Sequence, residues 1–268
     1  MTDTETLIKL LNDKTKLVAI LAPSFPIMYN PGEIVGKLKS VGFDKVVEVA
    51  VGAKETNRQA VNILTNNPHT RFITSPCASF VRYMRTKHPD KLHYLSMEID
   101  SPMVATAKIV KAKWPDIKVV FIGPCIVKKL EAKEDHPDLD ILVLTYKELD
   151  IVIASVAKQS QEIASSTSSP RDDNGCVFDL SEASTRGYPI DGGLTDSSGA
   201  RNLLTPDEIR VVSGYKNCET AIQEFDQNKK IRLLDILFCD GGCIMGPGIS
   251  SNLNIQERKQ KIRDYSQQ

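Results

Sequence analysis

The chain has 268 residues, 41% of them hydrophobic and 25% charged, the proportions of a soluble globular protein with room for one large domain or two small lobes around a shared core. Lys plus Arg and Asp plus Glu each number 34, so the formal net charge is zero, which gives no electrostatic reason to expect nucleic acid or an anionic membrane as partner. No signal pattern stands in MTDTETLIKLLNDKTK, no apolar run approaches the roughly 18 residues of a membrane helix, and the scattered cysteines are unlike a secreted disulfide framework. A cytoplasmic protein with reduced thiols is expected.

Taken in chain order, apolar β-branched runs at 16–21, 45–51, 71–74, 118–122 and 141–145 read as buried strands. Between them, segments 32–41, 54–64, 78–87 and 103–113 carry apolar residues at helical spacing. Strand alternating with helix predicts an α/β fold with mostly parallel sheets flanked by helices. The stretch SSTSSPRDDNG at 165–175 reads as an exposed loop or lobe boundary. Beyond it come a strand at 209–213, a helix at 215–225, a strand at 234–238 and a terminal surface helix at 256–265. One domain over 1–268 is expected, with a first lobe at about 14–164, a smaller second lobe at about 176–254 and a closing helix at 255–268.

Three cysteine loops follow predicted strands: ITSPCASF with Cys77, FIGPCIVKKLE with Cys125, and FCDGGCIMGPG with Cys239 and Cys243. In open α/β sheets, sites form where loops meet beyond the carboxyl ends of strands. Prolines 76, 124 and 247 stiffen these loops, and glycines 241, 242, 246 and 248 allow close backbone approach to a bulky inorganic group. Four thiolates suit a cubane iron–sulfur cluster; a four-cysteine zinc site is the competitor, and simple burial of four cysteines is the bland one. Cys176 and Cys218 lack such loops and read as structural or incidental. The four histidines (His69, His88, His93, His136) show no ligand spacing, and His88 and His136, each before a proline, read as exposed turns. Lys128 and Lys129 after Cys125 either face an anion or lie solvated on a first helical turn beside Glu131 and Glu134.

These loops resemble the three signature motifs of the catalytic domain of the iron-only (FeFe) hydrogenases: Thr-Ser-Cys-Cys-Pro, Pro-Cys-x-x-Lys-Lys-x-Glu, and Cys-x-x-x-Cys followed by glycines. The second is matched by residues 124–131, and the resemblance runs from about 16 to 250. LAPSFP (21–26) and SPMVATAK (101–108) resemble segments that line the family's active site, and YPIDGG (188–193) resembles a loop closing the second lobe. The resemblance implies an H-cluster at the lobe interface: a 4Fe-4S cube bridged by a cysteine sulfur to a di-iron unit bearing CO, cyanide and a dithiolate. Cys77, Cys125 and Cys239 would then hold the cube and Cys243 would bridge. Lys128 would donate to a cyanide, and Ala22, Pro23, Pro102 and Met103 would line the pocket. H2 and protons, a ferredoxin-like electron donor or acceptor and H-cluster maturation factors are the implied partners, with neither nucleic acid nor membrane among them.

Departures from the family pattern fall on one side. Fast members carry a second cysteine where this chain has Pro76, which has no proton to pass. Met97 stands near the relay serine, and Arg58 and Gln59 near a relay glutamate. Gly123 and Leu237 replace methionines near the di-iron unit, and Met103 replaces a glutamine. Kept cluster residues and lost proton-handling residues resemble the divergent, sensory branch: H2 binding or slow conversion is expected, with a non-catalytic 4Fe-4S module lacking the di-iron unit as the alternative.

Overall fold

The computed structural model describes residues 1–163 and 177–268; the loop expected at 165–175 and Cys176 lie outside them. The chain runs α1 (Asp3–Asn12), β1 (Leu17–Leu21), α2 (Pro31–Val41), β2 (Lys45–Glu48), α3 (Ala50–Asn66), β3 (Phe72–Ile73), α4 (Ala78–Lys87), α5 (Pro102–Lys113), β4 (Lys118–Gly123) and α6 (Lys128–Leu130). There follow β5 (Leu142–Thr145), α7 (Tyr146–Ile163), α8 (Gly193–Ser198), β6 (Ile209–Ser213), α9 (Tyr215–Gln227), β7 (Leu233–Leu237) and α10 (Ile255–Ser266). Two sheets form, ordered β2-β1-β4-β5 and β3-β7-β6, and every strand pair in both is parallel. The α/β expectation holds. Every residue of β1 and β7 is buried, which is why β1 reads as an unbroken apolar run, and β7 as one interrupted only by the buried Asp235.

Boundaries moved where packing outweighed local pattern. The 45–51 run stops being strand at Glu48, because Ala50 opens α3. There α3 crosses α5 so closely that a Cβ on Gly52 would lie 2.3 Å from the Pro102 carbonyl oxygen. Neither α1 nor α7 was anticipated, although the Thr2–Glu5 capping box that opens α1 is legible in the sequence.

The lobes do not follow a single cut in the chain. Strand β3 pairs with β7, and Ile73, Phe80 and Met84 pack with Ile222, Phe225 and Ile236 around the second sheet. The segment from β3 through α4 therefore belongs with β6 and β7, although it falls within the expected first lobe. A two-residue strand carries no local sign of so distant a partner. The closing helix also departs from expectation: α10 is docked, with Ile262 and Tyr265 in the core around the first sheet. Its Tyr265 hydroxyl donates to the buried Glu48 carboxylate, which Arg186 Nη2 also reaches at 3.0 Å. Among the described residues no helix is long and apolar enough to cross a membrane.

Candidate metal centre

The first cysteine loop leaves the carboxyl end of β3. Thr74 donates its amide to the Leu234 carbonyl at 3.0 Å and accepts the Ile236 amide on Oγ1 at 3.2 Å, so the loop is pinned to β7 before it reaches Cys77 at the start of α4. The second loop leaves β4 at Gly123 and is stitched to the third: the Gly248 amide donates to the Pro124 carbonyl at 2.8 Å. A Cβ on Gly248 would itself lie 2.8 Å from that oxygen, and one on Gly246 would lie 2.7 Å from it, so the predicted close approach is real but made by backbone to backbone. The third loop turns through Gly241 (φ 73°) and Gly242 (φ 100°), a left-handed passage that favours glycine.

These loops bring Cys77, Cys125, Cys239 and Cys243 within electrostatic reach of one another. Burial pushes the Cys77 thiol up, with Cys125 adding to it, while the Phe238 and Phe80 amides and the Lys128 ammonium pull it down. Cys239 is pushed up to about 12 by burial and by Cys77 and Cys125. Cys243 stands well above its ordinary value for the same reasons, against the pull of Lys128. Buried thiols so close together resist ionisation until a metal cation supplies the compensating charge. Ser79 Oγ lies 3.5 Å from Cys125 Sγ.

A cavity of about 70 Å³ opens beyond Cys243 and Cys125. Ala22, Pro23, Pro102, Met103 and Lys128 all line it, as does Pro76; Cys77 and Cys239 are not among its lining residues. Phe121, Val49 and Tyr188 also line it and were not foreseen. Phe121 takes the space that a side chain at 123 would occupy: a Cβ on Gly123 would sit 2.5 Å from its ring. Tyr188 could have been flagged as an aromatic residue next to a proline in the YPIDGG segment.

The two lysines separate cleanly. Lys128 is only 9% exposed, donates to the Pro76 carbonyl at 3.1 Å and pairs with buried Glu131 at 2.5 Å. A π turn over Glu131–Asp135 follows α6 directly and begins at Glu131 itself. Lys129 points elsewhere, to Asp3 at 2.7 Å and Glu148 at 2.5 Å. Glu134 is a surface partner of Arg82 at 2.6 Å.

Of the other cysteines, Cys218 is buried on α9 with its sulfur 3.9 Å from the Leu237 carbonyl. It does not line the cavity, yet it lies near enough to Cys77 and Cys239 that their charge, after burial, helps push it to about 12. His88 is half-buried, its Nε2 2.8 Å from Glu219 rather than free at a turn; His136 is half-buried too. Arg258, on α10, is 7% exposed and donates to the carbonyls of Ile244 (2.8 Å), Leu253 (2.8 Å) and Ser251 (2.6 Å), fixing the backbone beside Cys243. Among the described residues no group of three or more His, Cys, Asp or Glu closes around a single metal-ion position.

The profile of the family described as "Iron only hydrogenase large subunit, C-terminal domain" matches residues 15–247. The chain belongs to that family. It is 24% identical to iron hydrogenase 1 of Clostridium pasteurianum over 81% of this chain and 45% of that protein. It is also 24% identical to the probable cytosolic Fe-S cluster assembly factor oxy-4 of Caenorhabditis elegans, over 84% of this chain and 59% of that protein. The chain thus spans about half the length of the curated relatives it matches. A solved FeFe-hydrogenase HydA1 variant from Chlamydomonas reinhardtii superposes with a TM-score of 0.67 at 16% identity, covering 99% of this chain and 88% of that one, and so shares the fold. In this iron-only hydrogenase-like domain, the cysteine loops and the cavity sit at the carboxyl ends of strands from both sheets.

Proposed function

We propose that this domain holds a 4Fe-4S cube on Cys77, Cys125, Cys239 and Cys243, with a di-iron unit attached through the Cys243 sulfur, and that it binds or slowly interconverts H2 as a sensor. The observation that carries the reading is the cavity beyond Cys243, walled by apolar side chains and containing the buried Lys128 ammonium. The burial of Lys128 is balanced by its ion pair with Glu131, and its place on the cavity wall lets the same ammonium meet an anionic ligand there. Cys77 and Cys125 stand alone on separate loops rather than paired as a zinc knuckle, which favours a multi-iron cluster over zinc.

When bound, such a group supplies an open iron site for H2 and a path for electrons through the cube. The residues of the chain do the rest. An ammonium has three donors; Lys128 spends one on the Pro76 carbonyl and is ion-paired with Glu131, which leaves donor capacity for an anionic ligand. The amides of Phe80 and Phe238 stabilise a Cys77 thiolate. Pro76 offers no proton at the cavity wall, which favours slow turnover. All four cysteines are only half-buried, so an electron partner of ferredoxin type can come near the cube.

A second reading, a cube without the di-iron unit in a non-catalytic role, is favoured by Pro76 and by the similarity to cytosolic Fe-S assembly factors. Infrared spectra of protein produced with the H-cluster maturation factors separate the two. CO and cyanide bands on a protein with full cube content support the first; an intact cube without bands supports the second.

A further inference from the structure

One polar atom on the cavity wall is left over. Tyr188 is 8% exposed, lines the cavity, and its phenol oxygen is buried without a hydrogen-bond partner. The other polar groups nearby each have a partner within the protein. Tyr146 Oη donates to the Ala22 carbonyl at 2.9 Å and accepts from Ser24 Oγ at 2.8 Å, and Lys128 is held by Pro76 and Glu131.

Tyr188 is also built in firmly. Its amide donates to the Thr185 carbonyl at 3.1 Å, and α8 begins so close behind it that a Cβ on Gly193 would lie 2.6 Å from the Tyr188 Cα. Its ring packs in a cluster with Ala53, Leu194 and Leu233. Nothing in that packing requires a hydroxyl, and phenylalanine would fill the same space. A buried hydroxyl without a partner is disfavoured and rare in native proteins unless a ligand completes it. The phenol lies within electrostatic reach of the Cys243 sulfur and of buried Asp235, and burial together with these acidic neighbours holds it well above its ordinary pKa. A phenol is protonated at neutral pH in any case, a standing donor.

We infer that the Tyr188 hydroxyl is a positioning residue that donates a hydrogen bond to an anionic, acceptor-bearing inorganic group seated in the cavity and carried by the Cys243 sulfur. This rests on the proposed reading of Cys243. It adds a second donor to Lys128, so the bound group would be gripped from two segments far apart in the chain.

The test compares native protein with Tyr188→Phe, each cluster-free and each matured with the di-iron unit. Tyr146→Phe, which removes a hydroxyl with partners inside the protein, is the reference for an ordinary buried loss. In the cluster-free state Tyr188→Phe is expected to melt at or above the native temperature, whereas Tyr146→Phe melts below it. On loading, the Tyr188→Phe protein is expected to gain less in melting temperature than native, with its cyanide or CO bands displaced. A cluster-free Tyr188→Phe protein that melts as far below native as Tyr146→Phe overturns the inference, because the hydroxyl then has a partner without the ligand. So do native-like bands with a native-like gain on loading. Native protein that shows no CO or cyanide bands after maturation sinks the underlying reading instead, and this is seen before any variant is compared.

Discussion

The wall of the cavity and the flank behind Pro76 are neighbours, yet they hold opposite kinds of side chain. On the wall, an ammonium is buried and tethered at two points, and the rest is proline, aliphatic and aromatic. On the flank, the positions expected to pass protons hold groups that cannot. Met97 is half exposed, Arg58 is drawn outward to Glu55 at 2.6 Å, and Gln59 spends its carbonyl oxygen on the Asp100 amide at 2.7 Å. Holding a cluster requires thiols, a cation and a dry wall; feeding it protons requires an unbroken row of titratable groups. The two demands are met by different residues and can be lost separately.

The largest effect expected on this contrast is at the ligands. Cys125→Ala or Cys239→Ala is expected to leave reconstituted protein with almost no stably bound iron, while Cys218→Ala keeps the native iron content. Equal loss in all three, measured by metal analysis, would place Cys218 among the ligands and dissolve the division between site and support. Next comes Arg258→Ala, which strips three carbonyls of their donor, the one at Ile244 buried and those at Ser251 and Leu253 partly so. A loss of about 3 kcal/mol in urea unfolding is expected from leaving such acceptors unpaired, and a change near zero would mean that the loop beside Cys243 holds its own shape.

Lys128→Met sharpens the comparison from the other side. It is expected to reduce di-iron retention roughly tenfold at unchanged cube content, the order of one charge-assisted hydrogen bond, whereas Lys129→Met leaves the infrared intensity as it was. Matching losses in both would show that surface charge, not the cavity ammonium, matters. The smallest expected effect is a gain. Pro76→Cys restores one acid–base group, worth on the order of 10²–10⁴-fold where a relay is complete. With Met97, Arg58 and Gln59 unchanged, H2 turnover at equal di-iron loading is expected to rise well short of that range. Native protein turning over as fast as relay-containing relatives would abolish the contrast and point to another route, through Glu98 or Glu131.

How far the sequence carried can be seen residue by residue. The four cysteines announced themselves through the Pro and Gly around them, and the lining positions Ala22, Pro23, Pro102 and Met103 came only by family resemblance; these four line one cavity with Cys125 and Cys243, and Cys77 and Cys239 lie within electrostatic reach of those two thiols. Strand positions were legible because β1, β4 and β7 are buried on both faces and therefore mostly apolar, Asp235 in β7 and the opening Lys118 of β4 being the breaks. The membership of β3 in the second sheet was not, since two residues hold no record of their partner. The split between Lys128 and Lys129 was equally hidden: adjacent lysines on one turn look alike until Asp3 and Glu148 are seen to claim the second. Tyr188 and the inward face of α10 stayed out of view for a related reason. Each is defined by what packs on it from far along the chain, and local periodicity does not encode that.

The pairing of β3 with β7 sets the order in which the protein can assemble. Phe72 and Ile73 register against Leu233 and Leu234, so the segment that ends in Cys77 finds its place only after most of the intervening chain has been gathered in. Closing so long a loop for so few backbone bonds is entropically expensive, and parallel contacts of this span form late in folding. Cys77 therefore reaches Cys239 and Cys243 in one late, shared event. A chain still on its way to the native state offers stray metal ions an incomplete ring of thiols, and the full set is presented only by a domain that has already folded.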